Sequence, residues 1–252
     1  MLYLQNQLEE YNHNLIPMEP IKSFEIKRRD FLRKGITLGA LTGVAGLRLN
    51  ASDKNETEED VSPAEDLMRE HGVLNRIMLI YDACKAHLVN GESFSLEALN
   101  NSALIIRNFI EDYHEKLEED FLFPRFEKAN VLVDLVKVLR VQHLAGRTIT
   151  AKIISFARLK NISDSGDTQK LIKLLNDFNF MYRPHEARED TILFPALKKI
   201  ISKNEYFSLG EDFEDKEHDL FGEDGFEKMV GKVEDIEKQL EIYDLSKFTP
   251  IL

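Results

Sequence analysis

Cysteine is nearly absent from this chain: Cys84 is the only one among 252 residues. That excludes an intramolecular disulfide and a thiolate metal cluster, so any bound metal must take nitrogen and oxygen ligands. Proline and glycine are sparse, seven and 12, and long stretches lack both, which favours helices. No segment reads as a strand. Positive charge is also in short supply. Lys and Arg number 33 against 45 Asp and Glu, a net charge of −12, which argues against a nucleic-acid partner because phosphates call for clustered cations. Long hydrophobic runs are missing too. The moderately apolar stretch 35–49 is too short and too interrupted by glycine to cross a membrane as a helix, so the protein is not expected to be membrane-embedded. The remaining composition, 43% hydrophobic, is that of a globular protein with one sizeable domain and additions.

What is present occurs twice. Residues 114–124 read HEKLEEDFLFP and residues 185–195 read HEAREDTILFP, the second copy following the first by 71 residues. Each copy places a glutamate four residues after a histidine, His114 with Glu118 and His185 with Glu189. At about 3.6 residues per helical turn both side chains share one face, one turn apart. Imidazole plus carboxylate from two helices is what a pair of borderline ions such as iron requires.

The surrounding pattern predicts an all-α, up-down-up-down four-helix bundle over residues 62–203, with a C-terminal extension at 204–252 carrying one extra short helix. Ser62-Pro63-Ala64-Glu65 is a capping box opening the first helix, which runs to about 89. Leu67, His71, Leu74, Met78, Tyr81 and Leu88 form its apolar stripe, and His87 faces outward. The second helix spans about 95–129 with His114 and Glu118 on its inner face, and Pro124 is expected to kink or end it. The third spans about 131–159, with His143 in register with Leu139, Gly146 and Ile153. The fourth spans about 168–202, aligning Leu171, Leu174, Phe178, Tyr182, His185, Glu189 and Ile192, with Pro184 expected to disturb the backbone beside His185. Residues 205–224 read as acidic and irregular, and Phe226, Val230, Val233, Ile236 and Leu240 mark the extra helix.

Each of four successive helices thus turns one histidine inward: His71, His114, His143 and His185. With Glu118 and Glu189, six polar groups enter an apolar core. Left unpaired, they would cost on the order of 10 kcal/mol at about 1–3 kcal/mol each, which rivals a whole domain's stability of about 5–15 kcal/mol. Metal coordination offsets that cost directly. A ferritin-like carboxylate site would need two E-x-x-H pairs, and here only Glu111 with His114 matches.

A lone His, an H-x-x-x-E, a second lone His and a second H-x-x-x-E, with Leu-Phe-Pro closing both repeats, resembles the hemerythrin-like (HHE) family over roughly 62–201. The resemblance implies two iron ions in a non-haem di-iron centre, held by His71, His114, His143 and His185 and bridged by Glu118 and Glu189. Oxygen carriers of that family have H-x-x-x-H on the third helix, whereas here Arg147 follows His143 and its guanidinium cannot ligate. The carriers also use an acid five residues after the last histidine, here Asp190; ideal helical phase favours Glu189 instead. Glu115 resembles an additional ligand of iron-sensing members. His218 has no partner spacing and is expected to be peripheral. The implied function is binding of O2 or a related small diatomic. The alternative is a di-iron enzyme such as a peroxidase or NO-handling protein, with Tyr182 as a candidate acid/base group, or an iron or oxygen sensor.

Residues 1–51 read as an N-terminal lead and export signal, and 52–61 as a polar linker. Arg28-Arg29-Asp30-Phe31-Leu32 ahead of a Gly-rich apolar run resembles the twin-arginine motif, which implies contact with export machinery and a periplasmic or otherwise extracytoplasmic destination. Met18 would give that signal a more ordinary start, leaving residues 1–17 outside the functional protein.

Overall fold

Ser62 opens the first helix as its sequence dictates: its hydroxyl accepts the Glu65 N–H at 3.3 Å, and Pro63 takes a first-turn position that needs no N–H. The structure is a computed structural model, and it describes residues 61–162 and 164–250. The expected lead, signal and most of the linker, residues 1–60, lie outside the described residues. Helix α1 (Pro63–Asn90) closes on Gly91 at φ +70°, whose N–H reaches the carbonyls of the last turn, a left-handed cap that glycine adopts without a Cβ penalty.

Helix α2 (residues 96–129) is capped by Ser95, whose hydroxyl accepts the Ala98 N–H at 3.1 Å, and ends at Asn130, φ 54°. Helix α3 (Val133–Ala157) follows. Helix α4 (residues 165–200) opens on the Asp164 carboxylate, which accepts the Asp167 N–H at 3.0 Å. Helices α5 (Lys203–Phe221) and α6 (Gly225–Gln239) complete the set. No strand occurs among the described residues, so the chain is all-α. No described helix is long and apolar enough to cross a membrane.

Helix α4 packs against α1 and α3, α2 packs against α3 and α1, and α5 and α6 lie on α1, with α6 also touching α2. The core between them holds the expected Leu67, Leu74, Tyr81, Leu139, Phe178 and Tyr182, joined by Leu99 and Ile110 of α2.

Three expectations are corrected. Residues 205–224 are not irregular: 203–221 form α5. Ser202 caps it, accepting the Glu205 N–H at 3.2 Å, and Tyr206, Leu209, Phe213 and Glu217 are buried along one face while the other acids lie outside it. Pro124 neither ends nor breaks α2, and Pro184 leaves α4 α-helical around His185. Finally, Ile192 is exposed and Leu193 takes its core slot.

The outcomes at Pro124 and Ile192 share a cause. π-helical turns occupy Glu118–Leu122 and Glu189–Leu193, so the N–H of Phe123 bonds to the Glu118 carbonyl and that of Phe194 to the Glu189 carbonyl. A wider turn inserts one residue and advances the helical phase, which brings Leu122 and Leu193 inward. Pro124 and Pro195 then fall in the first turn of the next α segment, where no amide donor is required. A third π segment, Ile106–His114, runs into the first repeat.

Candidate metal centre

His71 comes from α1, His114 from α2, His143 from α3 and His185 from α4, and all four are buried. Their rings form two pairs, His71 with His114 at 4.8 Å and His143 with His185 at 5.1 Å between centroids. Glu118 and Glu189, fully buried, lie between the pairs. Nε2 of His71 is 3.4 Å from Glu189 Oε2, and Nε2 of His185 is 3.1 Å from Glu189 Oε1. Nε2 of His143 stands 3.4 Å from Glu118 Oε2, and Nε2 of His114 stands 3.9 Å from the same oxygen. Every Nε2 therefore faces a carboxylate. The ligand atoms of Glu118, His143, His185 and Glu189 lie within 4.8 Å of one another, close enough to hold an ion.

The outward nitrogens are held just as consistently. With its Nδ1 proton, His71 donates to Asp190 at 2.7 Å, His114 to Glu70 at 2.7 Å, His143 to Glu119 at 3.1 Å and His185 to Gln142 at 2.9 Å. Such bonds fix the ring and tautomer and present Nε2 as the free donor atom. Each anchor is the chain neighbour of an inward group: Glu70 precedes His71, Glu119 follows Glu118, Gln142 precedes His143 and Asp190 follows Glu189. Each also reaches a histidine on a different helix, so the anchoring runs from α1 to α2, α2 to α3, α3 to α4 and α4 back to α1. Sequence reasoning missed Glu70, Glu119 and Gln142. Their adjacency to inward residues was the available signal. Asp190 lies on the outer side of His71, in keeping with the preference for Glu189 as the inward acid.

Electrostatics without an ion are unbalanced. Burial, and then the neighbouring Glu189, push the Glu118 carboxyl well above its ordinary range. Burial acts the same way on Glu189, but His185 and His71 outweigh it and hold that carboxyl low. For His71, burial is overcome by the hydrogen bond to Asp190 and by the Glu189 carboxylate beside it, which raise the imidazole to about 10. His114 is pushed well down by burial and by the His71 charge beside it. Both oxygens of Glu118, both of Glu189 and Nε2 of His143 have no partner at hydrogen-bonding geometry. Five convergent buried atoms without partners are expensive in an apolar core. They are also the oxygen and imidazole donors that a borderline divalent metal takes, so these residues fit such an ion.

Beside this group lies a second buried network. Arg147, one turn after His143, sits 2.8 Å from both Glu115 Oε2 and Glu119 Oε1. Glu115 also accepts the Tyr182 hydroxyl at 2.7 Å. Burial raises the Glu115 carboxyl although Arg147 opposes it. Gly146 makes room for this arrangement, since a Cβ there would stand 1.9 Å from the Tyr182 hydroxyl oxygen. His87 is partly exposed and bonded to Glu92 at 2.9 Å. His218, on α5, is not among the converging residues.

Four inward imidazoles and two buried carboxylates within a helical bundle define a metal-binding helical protein. Residues 62–197 match the family model described as the hemerythrin HHE cation binding domain, and the chain belongs to that family. It is 48% identical over 195 residues, 77% of this chain and 76% of the relative, to the uncharacterized protein Mb2018 of Mycobacterium bovis. The uncharacterized protein Rv1995 of Mycobacterium tuberculosis is similar to the same extent. No solved structure matches the chain significantly.

Proposed function

We propose that this chain is a non-haem di-iron protein that binds O2 or a related small diatomic, in an up-down-up-down hemerythrin-like bundle. His71, His114, His143 and His185, together with Glu118 and Glu189, would hold the two irons. One observation carries the reading: four Nε2 atoms converge on two carboxylates while every Nδ1 is anchored from outside. A reduced iron pair would supply two electrons to a bound diatomic. The protein's part is to orient and exclude. The anchors keep the imidazoles aimed inward, and Phe194 and Phe123 stack on His71 and His143 at 5.6 and 5.5 Å and shield them from water. Arg147 stands where another histidine would follow His143 by one turn. Its guanidinium is held by Glu115 and Glu119 and cannot ligate.

Titrating the reduced, iron-loaded full chain with O2 under anaerobic handling tests this. A visible charge-transfer band that appears with O2 and vanishes on degassing supports reversible binding. Rapid irreversible oxidation moves the assignment to the second reading, a di-iron peroxidase or NO-handling enzyme, or to an iron or oxygen sensor. The enzyme reading is favoured by the buried Tyr182 hydroxyl on Glu115, its ring 5.4 Å from that of His185. A chain that retains no iron overturns both. The proposal extends to location: the Arg28-Arg29 signal would deliver the protein by the twin-arginine route to the periplasm or another extracytoplasmic space. Replacing both arginines with lysine should strand it in the cytoplasm, and unchanged export refutes that part.

A further inference from the structure

Positive charge, scarce in the chain as a whole, gathers on one helix. In a sequence of net charge −12, residues 135–163 contain no Asp or Glu and carry Lys137, Arg140, Arg147, Lys152, Arg158 and Lys160. Arg140 and Arg147 turn toward acids of α2. Lys152, Arg158 and Lys160 are exposed and form no ion pair among the described residues. The one acid of α3, Asp134, stands at its start and is paired with Lys137 at 3.0 Å.

The same helix carries an apolar ridge on its outside. Val138, Val141 and Leu144 are 53%, 67% and 66% exposed. With Lys152 they lie within about 60° of Val141 around the axis, so ridge and cation share one surface. The C-terminal helices pack on α1 and α2 and leave this surface bare. Val141 and Leu144 bracket Gln142 and His143, the residues through which α3 reaches the centre: His143 is buried against Glu118, and Gln142 anchors His185 at 2.9 Å. A group resting on the ridge is thus one helix away from the converging carboxylates.

A second copy of the chain does not suit this face. An isologous contact brings the same positive patch to both sides, and three side chains fall well short of the about 800 Å² per partner that a stable interface buries. An anionic bilayer would meet the whole chain with its net charge of −12, and polybasic lipid sites use clusters of about 4–8 cations. A compact acidic protein meets only the patch, because charges farther off than about 8 Å are screened. Small interfaces of complementary charge are typical of electron-transfer encounters.

We propose that the outer face of α3 docks an acidic one-electron carrier protein, whose acids meet Lys152, Arg158 and Lys160 while an apolar spot covers Val141 and Leu144. At each docking the reduced carrier is oxidised by one electron and the centre is reduced by one, so two dockings restore an oxidised iron pair. The electron-transfer step rests on the di-iron reading; the docking surface does not.

An acidic two-iron, two-sulfur ferredoxin is the probe. Calorimetry at low salt should show it binding the full chain, metal-free or iron-loaded, with an affinity that falls as salt rises. Lys152→Glu/Arg158→Glu and Val141→Ser/Leu144→Ser alter exposed side chains and should fold, which circular dichroism checks. Each should weaken binding about tenfold or more. In stopped flow both should slow reduction of the oxidised iron protein by reduced ferredoxin to a similar degree and leave reduction by dithionite unchanged. Absent binding, or equal binding by wild type and both variants, overturns the docking surface. So does a chain that ignores ferredoxin but takes up phosphatidylglycerol vesicles, or one that self-associates through Val141 and Leu144. Equal reduction rates overturn the electron-transfer step. A chain that holds no iron removes the di-iron reading and that step together, and calorimetry still decides the surface.

Discussion

Replacing Gly146 with alanine should destabilise the protein by about 2–6 kcal/mol. An added Cβ would lie 1.9 Å from the Tyr182 hydroxyl oxygen and 2.8 Å from Cζ, so the ring must retreat from a core in which it is 1% exposed. Overpacking of this kind costs about 1–3 kcal/mol. The retreat also breaks the 2.7 Å bond to Glu115, and a buried carboxyl deprived of a donor costs about 1–3 kcal/mol more. Urea denaturation of the full chain reads the sum as a fall in midpoint at unchanged slope. Two comparisons isolate the cause. Tyr182→Phe alone should destabilise, yet in the Gly146→Ala background it should cost little or restore stability, because it removes the clashing oxygen; the cycle would then show strong coupling. Gly72→Ala, also within a helix but with nothing inside 4 Å of its added Cβ, should be neutral or stabilising by up to about 1 kcal/mol. A Gly146→Ala protein as stable as wild type, or additive effects in the cycle, would refute the packing of Tyr182 onto Glu115.

Asp190→Asn removes the charged acceptor of His71 without removing any inward group. Iron affinity should fall by about 10–100-fold, measured by competition with a chelator of known affinity. In the metal-free protein, His71 is raised to about 10 by Asp190 and Glu189, above its unfolded value of about 6.5. Its contribution to stability is therefore full below pH about 6.5 and lost as pH rises through 10. The thermal midpoint of metal-free protein should drop across that window, and His71→Asn should flatten the drop. Metal loading at neutral pH must displace the proton that His71 holds. Calorimetry in buffers of different ionisation enthalpy should report proton release on loading, and metal loading without proton release would contradict the assignment.

The repeated H-x-x-x-E was legible because four-residue spacing reports a helical face directly, and the four inward histidines followed from stripes of Leu, Ile and Phe. Ile192 was misread for a physical reason. Phase was carried through at about 3.6 residues per turn, and the π turn at Glu189–Leu193 resets it, a change that depends on how the turn packs rather than on its letters. Helix α5 was hidden because acids outnumber the apolar residues around Tyr206, Leu209 and Phe213. The anchors were hidden by distance along the chain. Glu70 is 44 residues from His114 and Asp190 is 119 from His71, separations that only the folded helices close. Gly146 reads in the sequence as one more small inward residue, and the hydroxyl it makes room for comes from another helix.

The circuit of anchors constrains motion. On each helix the inward group and the anchor are consecutive residues, about 100° apart around the axis, so no helix can turn without disturbing its own inward group and the imidazole it steadies next door. The rotational setting of one helix thereby fixes that of the next, around to the first. A twist applied anywhere on the bundle would be felt at the middle, and an event at the middle would be shared by four helices at once, as in a camera iris whose blades move only together.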